Sequence, residues 1–401
     1  MEEIDTLHSY KLNKKLSKKN RNRLRINCNV SNKTLLILLI IAIVLLTFLL
    51  ILLLIIENRN LNKKLSRSSY ISQSSISMNF FNQNYSTKLL FDGRDNYNIE
   101  SINKNIIHVS YPLDNKLVYP TLVSMLSGLE NCNKENYIIY HLLLSYNFNT
   151  SDIEIFESLK QKYDVRINYY IIPNMFGSSR RWTDGTDCVY YKLIIPFMFP
   201  DYERMIYLDG DTLIRHDIWE MYNYSFNDNY ILGHPFYMGY VMGKHGIPKP
   251  EHYINGGCLL FNIKKIRKDH KEVDLLSLSF KNNSVWRFRE QDVMNYVFYP
   301  NIGFLPLKYG IYMIGNKYTF KALRGHVYSP MNQTEGEEAI EDPLVIDFSC
   351  CWPKVWTNGT KNLFKNHEYC ERFQKEFYKY AGKTNYYQII FDKFFYKKKK
   401  R

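Results

Sequence analysis

Two aspartates separated by one glycine close an apolar run in "RMIYLDGDTLI", Arg204 to Ile214. Met205, Ile206, Tyr207 and Leu208 have the character of a buried strand, and Asp209 and Asp211 follow directly. Like charges at a strand end repel, so the pair calls for a counter-charge. Residues two apart on an extended chain point the same way, which aims both carboxylates at one spot. Oxygen donors of this kind suit a hard divalent cation, Mn²⁺ or Mg²⁺, and two carboxylates leave coordination positions that a nucleoside diphosphate can fill. Gly210 between them would let a ligand approach the backbone. The triplet alone decides little, because 19 aspartates in 401 residues give about one such spacing by chance.

Its setting says more. "IIHVS" (Ile106–Ser110), "YIIYHLLL" (Tyr137–Leu144) and "VRINYYII" (Val165–Ile172) read as buried strands ahead of "RMIYL". Between the first two, Leu122, Met125, Leu126 and Leu129 recur at helical spacing on one face. Ser151 and Glu154 have capping-box spacing ahead of Phe156, Leu159 and Tyr163, and a further helix is expected near Cys188–Phe197. Strands alternating with helices predict an α/β domain with a mainly parallel sheet covered on both faces. Ligands of such sheets bind beyond the carboxyl ends of the strands, where Asp209 and Asp211 stand.

Composition bounds the rest. The net charge is +14, but residues 1–33 hold nine Lys/Arg against three acids and the chain closes on "KKKKR". The excess sits largely in two tails, which argues against a nucleic-acid surface. "TLLILLIIAIVLLTFLLILLLII", Thr34 to Ile56, carries no charge over 23 residues. As a helix it would be about 34 Å long, enough for a bilayer core. The basic flank before it predicts a cytosolic tail (1–33), a signal anchor (34–56) and a C-terminal part across the membrane, in the Golgi or the endoplasmic reticulum. Residues 57–104, polar and rich in Ser and Asn, read as a flexible stem. A transferase-sized domain is expected over 105–357 and a helical, basic extension over 358–401. Six N-x-S/T sequons after the span agree with a lumenal face. The cysteines fix no pairing, there is no Cys-x-x-Cys, and nothing sets an oligomeric state.

Three more stretches surround the aspartates: "YYKLIIPFMFPDYERMIYLDGDTLI" (Tyr190–Ile214), "YINGGCLLFNIKKIR" (Tyr253–Arg267) and "EQDVMNYVF" (Glu290–Phe298). With "IIHVSYPLDNKLVYPTLVSMLSGLEN" before them and "EDPLVIDFSCCWPKVW" after, the chain resembles the glycogenin-like and lipopolysaccharide-galactosyltransferase family, glycosyltransferase family 8. The resemblance covers about residues 105–357. It implies a GT-A-type, Rossmann-like nucleotide-sugar transferase that retains anomeric configuration, with a UDP-sugar donor, Mn²⁺ or Mg²⁺, and a carbohydrate-bearing acceptor. Carried over, Asp209, Asp211 and Asp347 would hold the metal, and Lys192 would contact the donor. Glu290 would accept a sugar hydroxyl, with Gln291 beside the anomeric carbon. Asn255 and Gly257 would border the sugar pocket. Ser110, Tyr111 and Asp114 would meet the nucleoside, and Lys354 the diphosphate.

Departures accompany the likeness. Asp347 stands where the family has a metal-binding histidine, Cys350 where it has glycine, and Val355 where it has proline. Gln291 is a poor nucleophile, so a front-face path and a double displacement both stay open. Two other readings stay open as well. One is a membrane-anchored protein that binds nucleotide sugar or carbohydrate without turnover. The other is a haloacid-dehalogenase-like phosphatase with Asp209 as nucleophile.

Overall fold

The computed structural model describes residues 88–91, 103–176, 187–236, 253–279, 288–312, 333–348, 354 and 368–389, with a few positions between 40 and 47. The chain divides into two compact units, Met1–Ser75 and Ile76–Arg401. In the first, the described positions are helical, and Ile40, Ile41, Ile43, Leu45 and Leu46 are exposed. The expected span 34–56 lies mostly outside the described residues, and among those no helix is long and apolar enough to cross a membrane.

The second unit is built on an eight-stranded sheet. Its order is β1 (Lys88–Phe91), β4 (Arg166–Ile172), β3 (Asn136–Ser145), β2 (Asn105–Leu113), β5 (Met205–Leu208), β8 (Ile254–Phe261), β7 (Ile231–Pro235) and β9 (Ile302–Phe304). β2 runs parallel to β3 and β5, β3 to β4, and β7 to β9; β1 and β8 run antiparallel to their neighbours. This is the expected mainly parallel mixed sheet. All ten residues of β3 are buried, which explains its unbroken apolar reading: both faces are covered. On one face, helix α1 (Val118–Asn131) packs Leu122, Met125 and Leu126 against Val109, Tyr111, Leu142 and Leu144. On the other, Tyr191 and Ile194 from the 3-10 turn Cys188–Ile194 join Met294 and Phe298 against Leu143, Tyr207 and Leu259.

A second sheet has the order β10 (Ile311–Tyr312), β11 (Val345–Asp347), β6 (Thr212–Ile214). Helix α2 (Glu290–Phe298) lies beside β8. Helix α3 (Glu368–Ala381), inside the expected 358–401 extension, buries Phe373, Phe377 and Ala381 against Leu213, Ile346 and Phe348. Arg215 ties it down, with its Nε 2.7 Å from Glu376 Oε2 and its guanidinium over the Phe373 ring.

Two local expectations are corrected. Strand β1 lies inside the stretch read as stem and pairs with β4, so the folded unit reaches back at least to Lys88. Polar composition hid it, because an edge strand needs only one neighbour. The capping box at Ser151 and Glu154 does not form. A 3-10 turn, Thr150–Asp152, runs straight into Ile153–Glu157, and no side chain caps either piece.

Candidate functional site

The strand order 4-3-2-5 makes the β2–β5 boundary a switch point, where connections leave to opposite sides and a crevice opens at the carboxyl ends. β5 stops at Leu208, so Asp209, Gly210 and Asp211 form the turn into β6 instead of the extended stretch expected. Asp209 N donates to Gly257 O at 2.8 Å, one step past the Leu208–Cys258 pair of the β5–β8 ladder. Gly257 therefore faces Asp209. On the far side, β6 pairs antiparallel with β11, setting Asp347 opposite Thr212, and Phe348 N donates to Asp211 O at 2.9 Å. Two ladders thus bring an aspartate from late in the chain to the first pair.

Gly257 is where they meet. A Cβ there would lie 2.1 Å from Asp347 Oδ2 and 3.1 Å from Asp209 Oδ2, so both oxygens crowd one point over the glycine. The Asp211 carboxylate meets a lysine: its Oδ2 is 2.6 Å from Lys354 Nζ, which also donates to Phe348 O at 3.2 Å. Among the described residues no three His, Cys, Asp or Glu side chains are grouped as one metal-holding set. Asp209 and Asp347 do form an all-oxygen cradle that only a glycine leaves open. Its donors fit a hard divalent ion, with Asp211 beside it on the same turn.

Lys192 is the other centre. It rides on the 3-10 turn and is only 1% exposed. Its Nζ donates to Gly256 O at 2.8 Å and lies 3.5 Å from Glu290 Oε1, 3.6 Å from Asp209 Oδ1 and 4.7 Å from the Tyr207 ring centroid. A buried ammonium persists only with such partners. It is not a surface lysine. Glu290, at the start of α2, is 7% exposed. Burial pushes its carboxyl up to about 7 against the opposing pull of Lys192. Its Oε2 is buried and makes no hydrogen bond among the described residues.

Gln291 faces Gly256 as well. Its Oε1 accepts Gly256 N at 2.8 Å and its Nε2 donates to Tyr253 Oη at 3.1 Å. Asn295 pairs with the backbone of Ile254 through both ends of its amide, at 2.8 and 2.9 Å, as a neighbouring strand would. That fixes α2 to β8 and so fixes Glu290 and Gln291 over Gly256. Asn255 turns back, its Oδ1 accepting Gly257 N at 2.7 Å.

The three residues assigned to the nucleoside lie near the carboxyl end of β2 and just past it. Ser110 is fully buried and donates to Ile206 O at 3.2 Å. Tyr111 is also fully buried, in the α1 core, with its hydroxyl 2.9 Å from Ser124 Oγ. β2 continues to Leu113, so both lie inside the sheet. Asp114 is past the strand end, and its Oδ1 accepts the backbone N–H groups of Lys116 and Leu117, shaping the entry to α1.

Gly210 also has a different role from the one expected. A Cβ on it would lie 2.5 Å from Thr121 Oγ1, so it makes room for α1. His234 is buried, 3.3 Å from Pro306 O, and burial lowers it to about 4. Cys258 is a buried thiol pushed up by burial and by Asp347 and Asp209, unsuited to reaction. Cys350 and Val355 lie outside the described residues. One residue at the centre was missed by sequence reasoning: Tyr207, whose hydroxyl donates to Asp209 Oδ1 at 2.7 Å. Period-two spacing from Asp209 was the available signal.

A model of glycosyl transferase family 8 matches residues 80–358, more than half of the chain. The chain belongs to this family. Family relatives include a lipopolysaccharide 1,2-glucosyltransferase of Escherichia coli, 25% identical over 233 residues, covering 54% of this chain and 66% of the relative. A lipopolysaccharide 1,3-galactosyltransferase of Salmonella typhimurium is 29% identical over 129 residues, 31% of this chain and 37% of that one. The chain thus spans less than two thirds of the length of these relatives. Among solved structures, galactosyltransferase LgtC in complex with donor and acceptor sugar analogues superposes with a TM-score of 0.55 at 16% identity, over 70% of this chain and 96% of that one. The WbbM bifunctional glycosyltransferase gives 0.58 at 18% identity, over 73% and 52%. These likenesses establish a GT-A-like fold. Family membership, with three parallel strands ahead of Asp209, removes the phosphatase reading, which needs its aspartate on the first strand.

Proposed function

We propose that the chain is a metal-assisted, retaining hexosyltransferase that moves a hexose from a UDP-sugar to a glycan, glycolipid or protein acceptor. One arrangement carries this reading: Lys192 and Glu290 on one side of Gly256, and the carboxylates of Asp209 and Asp347 over Gly257 on the other. A sugar diphosphate needs both a charged end for its phosphates and a hydrogen-bonding end for its hydroxyls. The named activities of the relatives, glucosyl and galactosyl transfer, favour a hexose.

Asp209, Asp211 and Asp347 are the residues that would hold Mn²⁺ or Mg²⁺, which when bound supplies positive charge against the diphosphate. Lys354, at Asp211, adds positive charge at the same edge, and Lys192 adds it at the sugar side. Glu290 offers a buried oxygen to a sugar hydroxyl. Gln291 has both ends of its amide engaged and stays a wall of the pocket. With no carboxylate nucleophile on α2 at that position, the front-face path is favoured. The bond from the anomeric carbon to the diphosphate oxygen breaks, the acceptor hydroxyl oxygen bonds to that carbon on the same face, and its proton passes to the departing phosphate oxygen.

We also propose that residues 34–56 anchor the chain in a membrane with 1–33 cytosolic and the catalytic unit in the lumen of the Golgi or endoplasmic reticulum. The uncharged run, its basic flank and the exposed Ile and Leu side chains at 40–46 support this. Protease treatment of sealed microsomes tests it; digestion of the C-terminal unit without detergent overturns it. For the activity, the 401-residue chain in detergent is offered a panel of nucleotide sugars with Mn²⁺. Release of UDP from UDP-glucose or UDP-galactose is expected. A different nucleotide clearly preferred overturns the donor assignment.

A further inference from the structure

Asp209 presents two oxygens to two different surroundings. Its Oδ1 receives the Tyr207 hydroxyl at 2.7 Å and faces Lys192 Nζ at 3.6 Å. Its Oδ2 points to the space over Gly257 that Asp347 Oδ2 shares. The hydroxyl can only be the donor to an ionised carboxylate, which has no proton to give. Tyr207 itself cannot turn away. It is fully buried, its ring packs in the second core, and Lys192 sits over its face at 4.7 Å. Strand alternation puts it on the same side as Asp209, two residues before it.

We infer that Tyr207 is a specificity-determining positioning residue that makes Asp209 a one-oxygen ligand and so selects a small octahedral cation over calcium. The inference rests on the proposed metal role of Asp209. With Oδ1 held by the phenol and the ammonium, only Oδ2 is available to an ion. Mg²⁺ and ions like it bind single carboxylate oxygens in a tight octahedron, at about 2.0–2.1 Å for Mg²⁺. Ca²⁺ takes more oxygens at about 2.3–2.6 Å and often grips a carboxylate through both. Removing the phenol hydroxyl leaves Oδ1 only the longer 3.6 Å contact with Lys192, loosens the carboxylate's aim and opens the two-oxygen mode.

The test is Tyr207→Phe in the 401-residue chain in detergent, which keeps the buried ring. Mn²⁺ and Ca²⁺ binding are titrated separately, with Mn²⁺ followed by loss of the free-ion paramagnetic resonance signal and both ions by calorimetry, alongside thermal melts. Wild type is expected to bind Mn²⁺ well ahead of Ca²⁺. Tyr207→Phe is expected to lose about 10- to 100-fold in Mn²⁺ affinity, the range for an outer-shell partner, while Ca²⁺ affinity holds or rises. Unchanged selectivity in the variant overturns the inference, as does equal loss for both ions with a lowered melting temperature. Wild type that binds Ca²⁺ as tightly as Mn²⁺ overturns it without any variant. Wild type that binds neither Mn²⁺ nor Mg²⁺ overturns the metal reading itself, a result distinct from the others.

Discussion

Lys354 Nζ lies 2.6 Å from Asp211 Oδ2 and so occupies the oxygen that a metal ion would need. The lysine and a cation compete for that oxygen. Lys354→Met is therefore expected to tighten Mn²⁺ binding in the absence of donor by about five-fold, the scale of a partly exposed ion pair. The same change should weaken binding of UDP in the presence of Mn²⁺, because the diphosphate loses a cation. Calorimetry with each ligand reads both signs; a loss of affinity for both would make Lys354 merely structural.

A second expectation concerns acidity. Burial raises Glu290 to about 7, above its ordinary value, so the folded state holds its proton where the unfolded chain has released it. Its share of stability is complete below about pH 4.5 and is lost as pH rises through about 7, up to about 3 kcal/mol. The half-buried His108 and the buried His141 and His234 are lowered by desolvation and act with the opposite sign. The prediction is therefore a difference. Urea midpoints of Glu290→Gln minus wild type should grow in favour of the variant between pH 4.5 and 7. A flat difference would contradict it.

Gly257→Ala is expected to leave the sheet folded and to abolish Mn²⁺ binding. The new Cβ would stand 2.1 Å from Asp347 Oδ2, and a short aspartate side chain on a strand has little room to yield. Paramagnetic titration checks this beside a melting curve; wild-type Mn²⁺ affinity in the variant would remove Gly257 from the site.

The C-terminal helix is expected to matter for the site through packing. Phe377 is fully buried and meets Phe348, the residue after Asp347, edge to face. Phe377→Ala should cost about 3–5 kcal/mol of stability. Denaturant unfolding measures it, and a loss under about 1 kcal/mol would show that the helix is peripheral.

Much of this site was legible in the sequence because its residues sit at element ends that local patterns mark. "RMIYLDGD" marks the β5 end and "EQD" the start of α2. Lys192 and Glu290 meet 98 residues apart, a pairing that only the family resemblance implied. What escaped had a common cause: a side chain's direction depends on where its strand stops. β2 runs three residues beyond Ser110, which buries Ser110 and Tyr111. β5 stops at Leu208, so Asp211 sits on the turn after it, where Lys354 meets its carboxylate. Gly210 was read as room for a ligand because Thr121, its actual neighbour, comes from a helix about 90 residues earlier in the chain.

The central claim is that these aspartates hold a cation through which UDP is bound. It is tested most directly by calorimetric titration of UDP, with and without Mn²⁺, into wild type and Asp211→Asn. Wild type should bind UDP only with the metal, and Asp211→Asn should lose that binding while remaining cooperatively folded, with a melting temperature lowered at most by the lost Lys354 ion pair. Unchanged UDP affinity with unchanged metal dependence in Asp211→Asn would contradict the account.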